Sequence, residues 1–206
     1  MKWSSPSHQN QSEPSAADSA AFAVACRETL ACHASTAERL GCLDEVYRSL
    51  FLITGVPASI ADLACGLHPF ALPWMGLPPG VRYVACDIDR RIVGALGRLF
   101  ECAQQLGVAE CRDLLVSPPD CEVDVVLLLK TVPCLEQQEK GATLRLLRGM
   151  RARHVVLSFP AQSLGGREKG MRRHYHRMAE ELAEALGVEM QRLDFETETF
   201  YVLGLV

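Results

Sequence analysis

Three acidic residues stand where apolar, strand-like stretches of the sequence end: Asp62, Asp87 and Asp113. In an open α/β sheet a ligand binds outside the carboxyl ends of the strands, at the point where the strand order reverses. Asp87 follows Gly66 by about twenty residues, the spacing at which such folds hold a ribose diol, because a carboxylate can accept both hydroxyl protons. Asp113 is placed to accept from an adenine amino group, with Leu114 packing on the ring. Any one of these aspartates could simply cap the next helix, but the set predicts a nucleoside-containing cofactor.

The loop DLACG after the first of these strands could hold either a reactive thiol or a cofactor. Ala64 and Gly66 let a ligand approach the backbone closely, because larger side chains would block it. A dinucleotide needs GxGxxG to hold its pyrophosphate, whereas this loop has one glycine and then Pro69. The loop therefore favours S-adenosylmethionine over NAD, with Cys65 as a small neighbour of the ligand. The carboxylate of such a cofactor needs one cation, for which Arg39 is a candidate.

These residues are positioned by an alternation of strand-like and helix-like segments. Apolar stretches predict parallel strands at about 59–64, 82–87, 108–112, 123–129 and 154–159, separated by helices at about 69–75, 90–106, 135–150 and 170–186. Two more strands, at about 189–195 and 198–205, are joined by a tight turn. An α/β alternation that closes with an antiparallel hairpin is the layout of the class I S-adenosylmethionine-dependent methyltransferase fold, a Rossmann-like seven-stranded sheet whose last strand is antiparallel.

Ahead of this alternation the sequence predicts a short N-terminal helical extension. Residues 1–18 are rich in Ser, Gln and Pro and are predicted to be disordered. Residues 19–55 predict two helices, one over about 20–32 and one over about 36–51. The methyltransferase domain is then expected over residues 56–206.

The charge of the chain limits how it can contact nucleic acid. A net charge of −4 over 206 residues is not that of a protein held to nucleic acid by its overall field, so any contact must be local. One segment qualifies, GGREKGMRRHYHR (Gly165–Arg177). It carries five basic residues: Arg167, Lys169, Arg172, Arg173 and Arg177. A solvated basic helix face explains this pattern as well as an RNA contact does.

Hydrophobic runs and cysteines indicate the compartment. The run VDVVLLL (Val123–Leu129) is far shorter than the roughly 20 residues of a membrane span, and the polar N-terminus has no signal-peptide hydrophobic region. We therefore expect a cytoplasmic protein without membrane contact. Nine cysteines, scattered without CxxC pairs, predict reduced and mostly core-filling thiols. The cluster of Cys26, Cys32, His33 and Cys42 has no tight ligand pairs, so no metal is predicted.

Four blocks of sequence, in order, resemble a known family. They are CHASTAERL (Cys32–Leu40), DLACGLHPFALPWM (Asp62–Met75), LLLKTVPCLEQQ (Leu127–Gln138) and SFPAQSLGGREKGM (Ser158–Met171). Together they look like the aminoglycoside-resistance 16S rRNA methyltransferases that modify guanine 1405 at N7, and PWM and KTVPCLE are most similar to the members from antibiotic-producing actinomycetes. The resemblance implies S-adenosylmethionine as cofactor, 16S rRNA in the 30S ribosomal subunit as substrate, and a monomer.

The resemblance also implies roles for single residues. Arg39 would hold the methionine carboxylate of the cofactor and Asp87 its ribose, while His33 and Glu38 either organise the Arg39 loop or cap a helix. Lys130 would lie beside the methyl-transfer site. The other implied cofactor contacts are His33, Ala64, Cys65, Gly66, Ile88, Asp113, Leu114 and Lys130. The implied RNA contacts are Arg167, Lys169, Arg172 and Arg173.

The implied chemistry asks little of the protein. Guanine N7 carries an in-plane lone pair and no proton, so no general base is needed, and the requirement is in-line placement about 3 Å from the sulfonium methyl. The absence of an obvious catalytic dyad is therefore expected. Phe159 could stack on an unstacked target base, or it could be a plain core residue at a strand end.

Three departures from the family pattern favour a second reading. Family members carry an N-terminal RNA-docking region of several dozen residues, where this chain has a short lead. Ala161-Gln162 replaces the usual Thr followed by Lys or Arg, and His68 replaces the usual Asn. The alternative function is therefore a homologue that binds S-adenosylmethionine but acts weakly on the ribosome, or acts on another substrate.

Two further alternatives are a methyltransferase with a cysteine nucleophile and a protein without catalytic activity. Cys134 follows a proline after the fourth strand, as the nucleophile of cytosine-C5 methyltransferases does, although the family motif contains the same Pro-Cys pair. A non-enzymatic module that keeps the fold without catalysis is the other. The presence of Arg39, Asp87, Asp113 and Lys130 argues against loss of cofactor binding.

Overall fold

The computed structural model describes residues 16–161 and 168–205, in which seven strands form one sheet. In chain order they are β1 (Ser59–Leu63), β2 (Arg82–Asp87), β3 (Gly107–Cys111), β4 (Glu122–Leu129), β5 (Arg151–Pro160), β6 (Met190–Asp194) and β7 (Glu198–Gly204). The helices are α1 (Ala16–Ala31), α2 (Ala34–Ala37), α3 (Leu43–Thr54), α4 (Leu72–Met75), α5 (Arg90–Cys102), α6 (Val132–Gln138), α7 (Ala142–Gly149) and α8 (Glu168–Leu186), with a 3-10 helix over His68–Ala71.

The strand order is β3-β2-β1-β4-β5-β7-β6. β1 pairs in parallel with both β2 and β4, so the order reverses between β1 and β4. β7 lies between β5 and β6 and is antiparallel to both. This arrangement confirms the predicted fold class, and it places the expected ligand crevice at the carboxyl ends of β1, β2 and β4.

Helices cover both faces of the sheet, which explains why its central strands read as continuous apolar runs. Along β4, Val126 and Leu128 enter the core on one face, while Val125 and Leu127 enter the core on the other. The first core is closed by α6, α7 and α8, and the second by α1, α3, α4 and α5. The strand ends that carry the predicted site therefore lie at the edge of two packed layers.

The N-terminal helices belong to the same core as the sheet. Cys26 and Leu30 of α1 and Tyr47 of α3 are buried in the cluster that contains Tyr83 of β2. Helix α1 begins at Ala16, inside the segment predicted to be disordered, while residues 1–15 lie outside the described residues. The predicted helical extension is thus one face of the domain.

Two helices predicted as continuous are interrupted. The one over 36–51 is divided into the single turn α2 and the longer α3, because the Thr36 hydroxyl donates to the Leu30 carbonyl at 2.6 Å and folds the segment back onto α1. The one over 135–150 is divided at Gly141, which has a φ of +80°. There the Glu136 carboxylate accepts from the N–H groups of Gly141 at 2.7 Å and of Thr143 at 2.9 Å, and so caps α7.

All nine cysteines are free thiols, and five of them pack in or against the core, as predicted. Cys26, Cys65 and Cys86 are buried, and Cys42 and Cys121 are partly buried against the core clusters. Four are exposed, namely Cys32, Cys102, Cys111 and Cys134. Within residues 16–161 and 168–205, no helix is long and apolar enough to cross a membrane.

Candidate active site

Backbone strain marks the point where the strand order reverses. Ala64, just after β1, has a φ of +50°, and Lys130, just after β4, has a φ of +56°. Asp62 of β1 is the register partner of Leu127 of β4. Ala64 and Lys130, which follow these strands, therefore lie at nearly the same level. Left-handed backbone is unfavourable for side chains with a Cβ and collects at functional sites. Gly66, with a φ of +53°, adds a third such position in the same loop.

The carboxylate of Asp87 joins the ends of β1 and β2. Its Oδ2 accepts from the Gly66 N–H at 2.8 Å and its Oδ1 from the Asp89 N–H at 2.9 Å. A carboxylate has about four acceptor positions, so two remain for a ligand diol. Ile88 follows directly and is 69% exposed, which leaves an apolar surface beside the carboxylate.

The third predicted carboxylate, Asp113, lies exposed after β3. Its Oδ1 accepts from the Leu115 N–H at 2.9 Å and closes a turn. Leu114 is directed into the core and is 8% exposed, so little of its side chain can pack on a ring in this arrangement. Val116 of the same turn is 80% exposed, and no feature of the sequence singled it out.

Arg39 is buried and paired with a residue that the sequence analysis did not identify. Its Nε donates to Glu198 Oε2 at 2.5 Å and its second terminal nitrogen to Oε1 at 3.0 Å. Burial lowers the pKa of Arg39, but the attraction of Glu198 outweighs it, so the pKa lies above its usual value. The pair uses two of the five guanidinium N–H donors, and Arg39 is only 3% exposed.

Lys130 links three parts of the chain at this edge. Its Nζ donates to the Ser35 carbonyl at 3.2 Å, contacts the Glu38 carboxylate, and lies 3.5 Å from Glu198 Oε2. Its backbone N–H donates to the Ser158 carbonyl at 3.0 Å. The predicted methyl-transfer lysine is therefore held between the segment containing Arg39 and the first residue of β7.

A buried hydrogen-bonded chain lies beneath the loop, centred on His68. Nδ1 of His68 is 2.7 Å from Asp62 Oδ2, and its Nε2 is 2.8 Å from the Tyr47 hydroxyl. The Tyr83 hydroxyl donates to the same Asp62 oxygen at 2.9 Å. Burial raises the pKa of both phenols, which stay neutral donors. His68 thus ties β1 to α3.

We expect His68→Asn to lower the free energy of unfolding by about 1–3 kcal/mol, because the shorter side chain cannot reach both Asp62 and Tyr47 and leaves a buried group unsatisfied. Urea denaturation measures the effect. Tyr47→Phe removes the same bond from the other side, so the double variant should be little less stable than His68→Asn alone. Full additivity of the two changes would show that the bond is not shared.

Cys65 is a buried, neutral thiol. It is 7% exposed, and burial raises its pKa well above the usual value, with Asp62 and Asp87 adding to the shift. A nucleophilic cysteine needs the opposite, a lowered pKa. The position of Cys65 in the loop therefore agrees with its role as a small neighbour of the ligand.

We expect Cys65→Ala to leave cofactor affinity within about twofold of the unmodified chain and to cost about 1 kcal/mol of stability from the lost packing. Calorimetric titration with S-adenosylmethionine and thermal unfolding measure the two effects. Cys134→Ala, which changes the exposed thiol at the start of α6, is the matched variant. Loss of methyl transfer in either variant, with cofactor binding intact, would point to a nucleophilic cysteine.

Phe159 is enclosed by other rings. It is 1% exposed, its ring stacks on Tyr175 with centroids 5.0 Å apart, and Tyr201 meets it edge-on at 5.8 Å. This arrangement leaves no free face for a base. Of the two roles considered for Phe159, the structure supports the core role.

The remaining predicted residues are divided among three places. His33 is exposed, precedes α2, and has its Nδ1 2.8 Å from the Ser35 hydroxyl. Arg172 and Arg173 are exposed on α8. Arg167 lies outside the described residues, as does the side chain of Lys169. In the described part of the chain, no group of three or more His, Cys, Asp or Glu side chains is arranged to hold a metal ion.

The sequence of the chain matches a known protein family. A family model described as "Ribosomal RNA methyltransferase (FmrO)" matches residues 9–202. The chain belongs to this FmrO family. Among its relatives are the 16S rRNA (guanine(1405)-N(7))-methyltransferases of Micromonospora echinospora, 40% identical over 95% of this chain, and of Micromonospora rosea, 41% identical over 86%. The chain spans 71% and 65% of the lengths of these two proteins.

A solved structure of a 16S rRNA methyltransferase has the same architecture. The 16S rRNA methyltransferase RmtF, in complex with S-adenosyl-L-homocysteine, superposes with a TM-score of 0.76 at 30% identity, over 91% of this chain and 74% of RmtF. Family and fold are therefore those expected from the four sequence blocks.

Proposed function

We propose that this chain transfers a methyl group from S-adenosylmethionine to N7 of a guanine in 16S rRNA, at the position equivalent to guanine 1405 of the small ribosomal subunit. Family membership supports the reaction, and the activity of both Micromonospora relatives supports the target. The structural observation that carries the proposal is the hydrogen bond from the Gly66 N–H to Asp87, which joins the strained loop after β1 to the end of β2.

Two features of the loop fit a bound nucleoside. A Cβ placed on Gly66 would meet no protein atom within 4 Å, so the backbone there faces open space that a ligand can fill. Asp62 Oδ1 is buried and has no hydrogen-bond partner among the described residues. Such an acceptor is normally satisfied by water or a bound group.

The residues of this edge can hold each part of the cofactor. Asp87 would accept from the ribose hydroxyls, with Ile88 packing on the adenine and Asp113 accepting from its amino group. Arg39 would meet the methionine carboxylate with the N–H donors that Glu198 does not use. His33, Ala64, Cys65 and Lys130 would complete the contacts, while Leu114 is directed into the core and would not pack on the adenine.

When bound, S-adenosylmethionine supplies an electrophilic methyl group on a sulfonium. Guanine N7 needs no deprotonation, so the task of the chain is to hold the base in line and to exclude water. Lys130, fixed by Ser35, Glu38 and Ser158, would lie beside the reacting atoms. The exposed Arg172 and Arg173, with Arg167 and Lys169, would contact the RNA.

The proposal is tested by incubating the purified chain with small subunits and methyl-labelled S-adenosylmethionine. Reverse transcription after cleavage at 7-methylguanine then maps the modified base. We expect one new stop at the position equivalent to 1405. A stop elsewhere, or none at all, would overturn the proposed target.

The second candidate, a homologue with weak activity on the ribosome, is favoured by the replacement of Thr and Lys or Arg with Ala161-Gln162. Calorimetry with S-adenosylmethionine separates the cases. Cofactor binding without methyl incorporation would support this candidate, whereas no binding would indicate a non-enzymatic scaffold.

We further propose that the chain works as a monomer in the cytoplasm, without a metal. We also propose that it gives aminoglycoside resistance, which growth of an expressing host on the drug would test.

A further inference from the structure

A basic groove lies between α8 and β6. It has a volume of about 400 Å³ and is lined by Arg172, Arg173, His176 and Arg192. The sequence indicated only the first two, because Arg192 comes from a strand at the far end of the sheet. Three of the four lining residues are arginines, which remain charged at any physiological pH.

The fold places these side chains together through Tyr201 and Ala161. Arg192 is the register partner of Tyr201, whose ring stacks on that of His176 with centroids 5.7 Å apart. Nε of Arg172 donates to the Ala161 carbonyl at 2.6 Å. Each wall of the groove is thus attached to a rigid strand, which is the arrangement a binding site needs.

A carboxylate beside the groove fixes the orientation of one of its arginines, Arg192. Asp194 Oδ1 accepts from Arg192 at 2.7 and 3.0 Å, and also accepts from the Thr199 hydroxyl at 3.0 Å. Glu180 lies 3.3 Å from His176 Nε2. The guanidinium of Arg192 is therefore held in one orientation while its remaining donors stay available to a ligand.

The groove lies beside the catalytic edge. Asp194, the last residue of β6, is the register partner of Thr199, which follows the Arg39 partner Glu198. Ala161, which holds Arg172, directly follows β5 and donates its N–H to the Thr197 carbonyl at 2.8 Å. A strand of RNA whose target base reached Lys130 would have its neighbouring phosphates close to this groove.

We propose that the groove binds phosphates of the RNA strand that carries the target base, with Arg192 as a phosphate contact. Guanidinium groups bind phosphate oxygens in pairs, and a groove with several of them suits a run of phosphates. The inference rests on the proposed function, because it takes RNA as the substrate. It adds β6 to an RNA surface that the sequence restricted to α8 and the segment before it.

The test is the salt dependence of binding to small subunits, with Arg192→Gln compared to the unmodified chain. We expect affinity to fall about three- to tenfold at low salt, and the slope of log K against log salt to become shallower by about 1. Arg192→Lys keeps the charge and should retain most of the affinity. Arg151→Gln is the matched control, since Arg151 also forms an ion pair, with Asp120 at 2.8 Å, but begins β5 at the opposite edge of the sheet.

Three results would overturn the inference: unchanged affinity and slope in Arg192→Gln, an equal loss in Arg151→Gln, or no recovery in Arg192→Lys. Failure of the unmodified chain to bind RNA would overturn it as well. Calorimetry with S-adenosylmethionine, expected to be unchanged in all three variants, shows that they are folded. Methylation is measured separately. If RNA binding depended on Arg192 but no methylation occurred, the proposed function would be rejected and the inference that the groove binds phosphates would stand.

Discussion

Replacing Glu198 with alanine is expected to lower the free energy of unfolding by about 3–5 kcal/mol, the range seen when one partner of a buried ion pair is removed. Arg39 would keep its charge at 3% exposure without the carboxylate that accepts two of its hydrogen bonds. Lys130, 3.5 Å from the same carboxylate, would lose a neighbour of opposite charge. Urea denaturation followed by circular dichroism measures the change.

The matched control is Glu196→Ala, which removes an exposed carboxylate two residues away and should change stability by no more than about 0.5 kcal/mol. If Glu198→Ala were as stable as this control, Arg39 would have another partner or would reach solvent. Cofactor affinity of the folded fraction gives a second measurement. A freed Arg39 could bind the methionine carboxylate more tightly even as the protein becomes less stable.

Gly66→Val is expected to weaken S-adenosylmethionine binding by at least a hundredfold. The residue has a φ of +53°, where a side chain with a Cβ costs about 1–2 kcal/mol, and a β-branched one suits this backbone least. The new Cβ would point into the open space that we assign to the ligand. Strain would also disturb the 2.8 Å bond from the Gly66 N–H to Asp87. Calorimetric titration measures the loss of binding.

Gly187→Val separates strain from loss of the ligand site. Gly187 has a φ of +69° and follows α8, and a Cβ there also meets no atom within 4 Å. Its substitution should cost similar stability and leave cofactor binding intact. If both variants lost binding equally, the effect of Gly66→Val would be one of stability alone.

The fold was predictable because its signals are local. Short strand-like runs predicted all seven strands to within about three residues, and the pairing of β1 with β2 then brings Gly66 and Asp87 together. The four sequence blocks indicated the family for the same reason. Three of them surround the end of a strand and the turn that follows it, and the fourth, Cys32–Leu40, lies between α1 and α3.

What escaped prediction depends on contacts between distant segments. Glu198 has no local pattern that marks it as the partner of Arg39. The burial of Phe159 on β5 depends on Tyr175, which reaches it from α8. Arg192 enters the basic groove only because β6 lies beside β7.

The place of β7 between β5 and β6 also determines when the site can form during synthesis. Arg39 is synthesised 159 residues before Glu198, whose carboxylate neutralises it. Until β7 joins the sheet, the side chains of Arg39 and Lys130 remain solvated, because burying an unpaired charge is unfavourable. Such long-range pairing is slow, so we expect Arg39 to become buried late, in the step that closes the sheet. The nascent chain would thus be unable to hold its cofactor until β7 had been made.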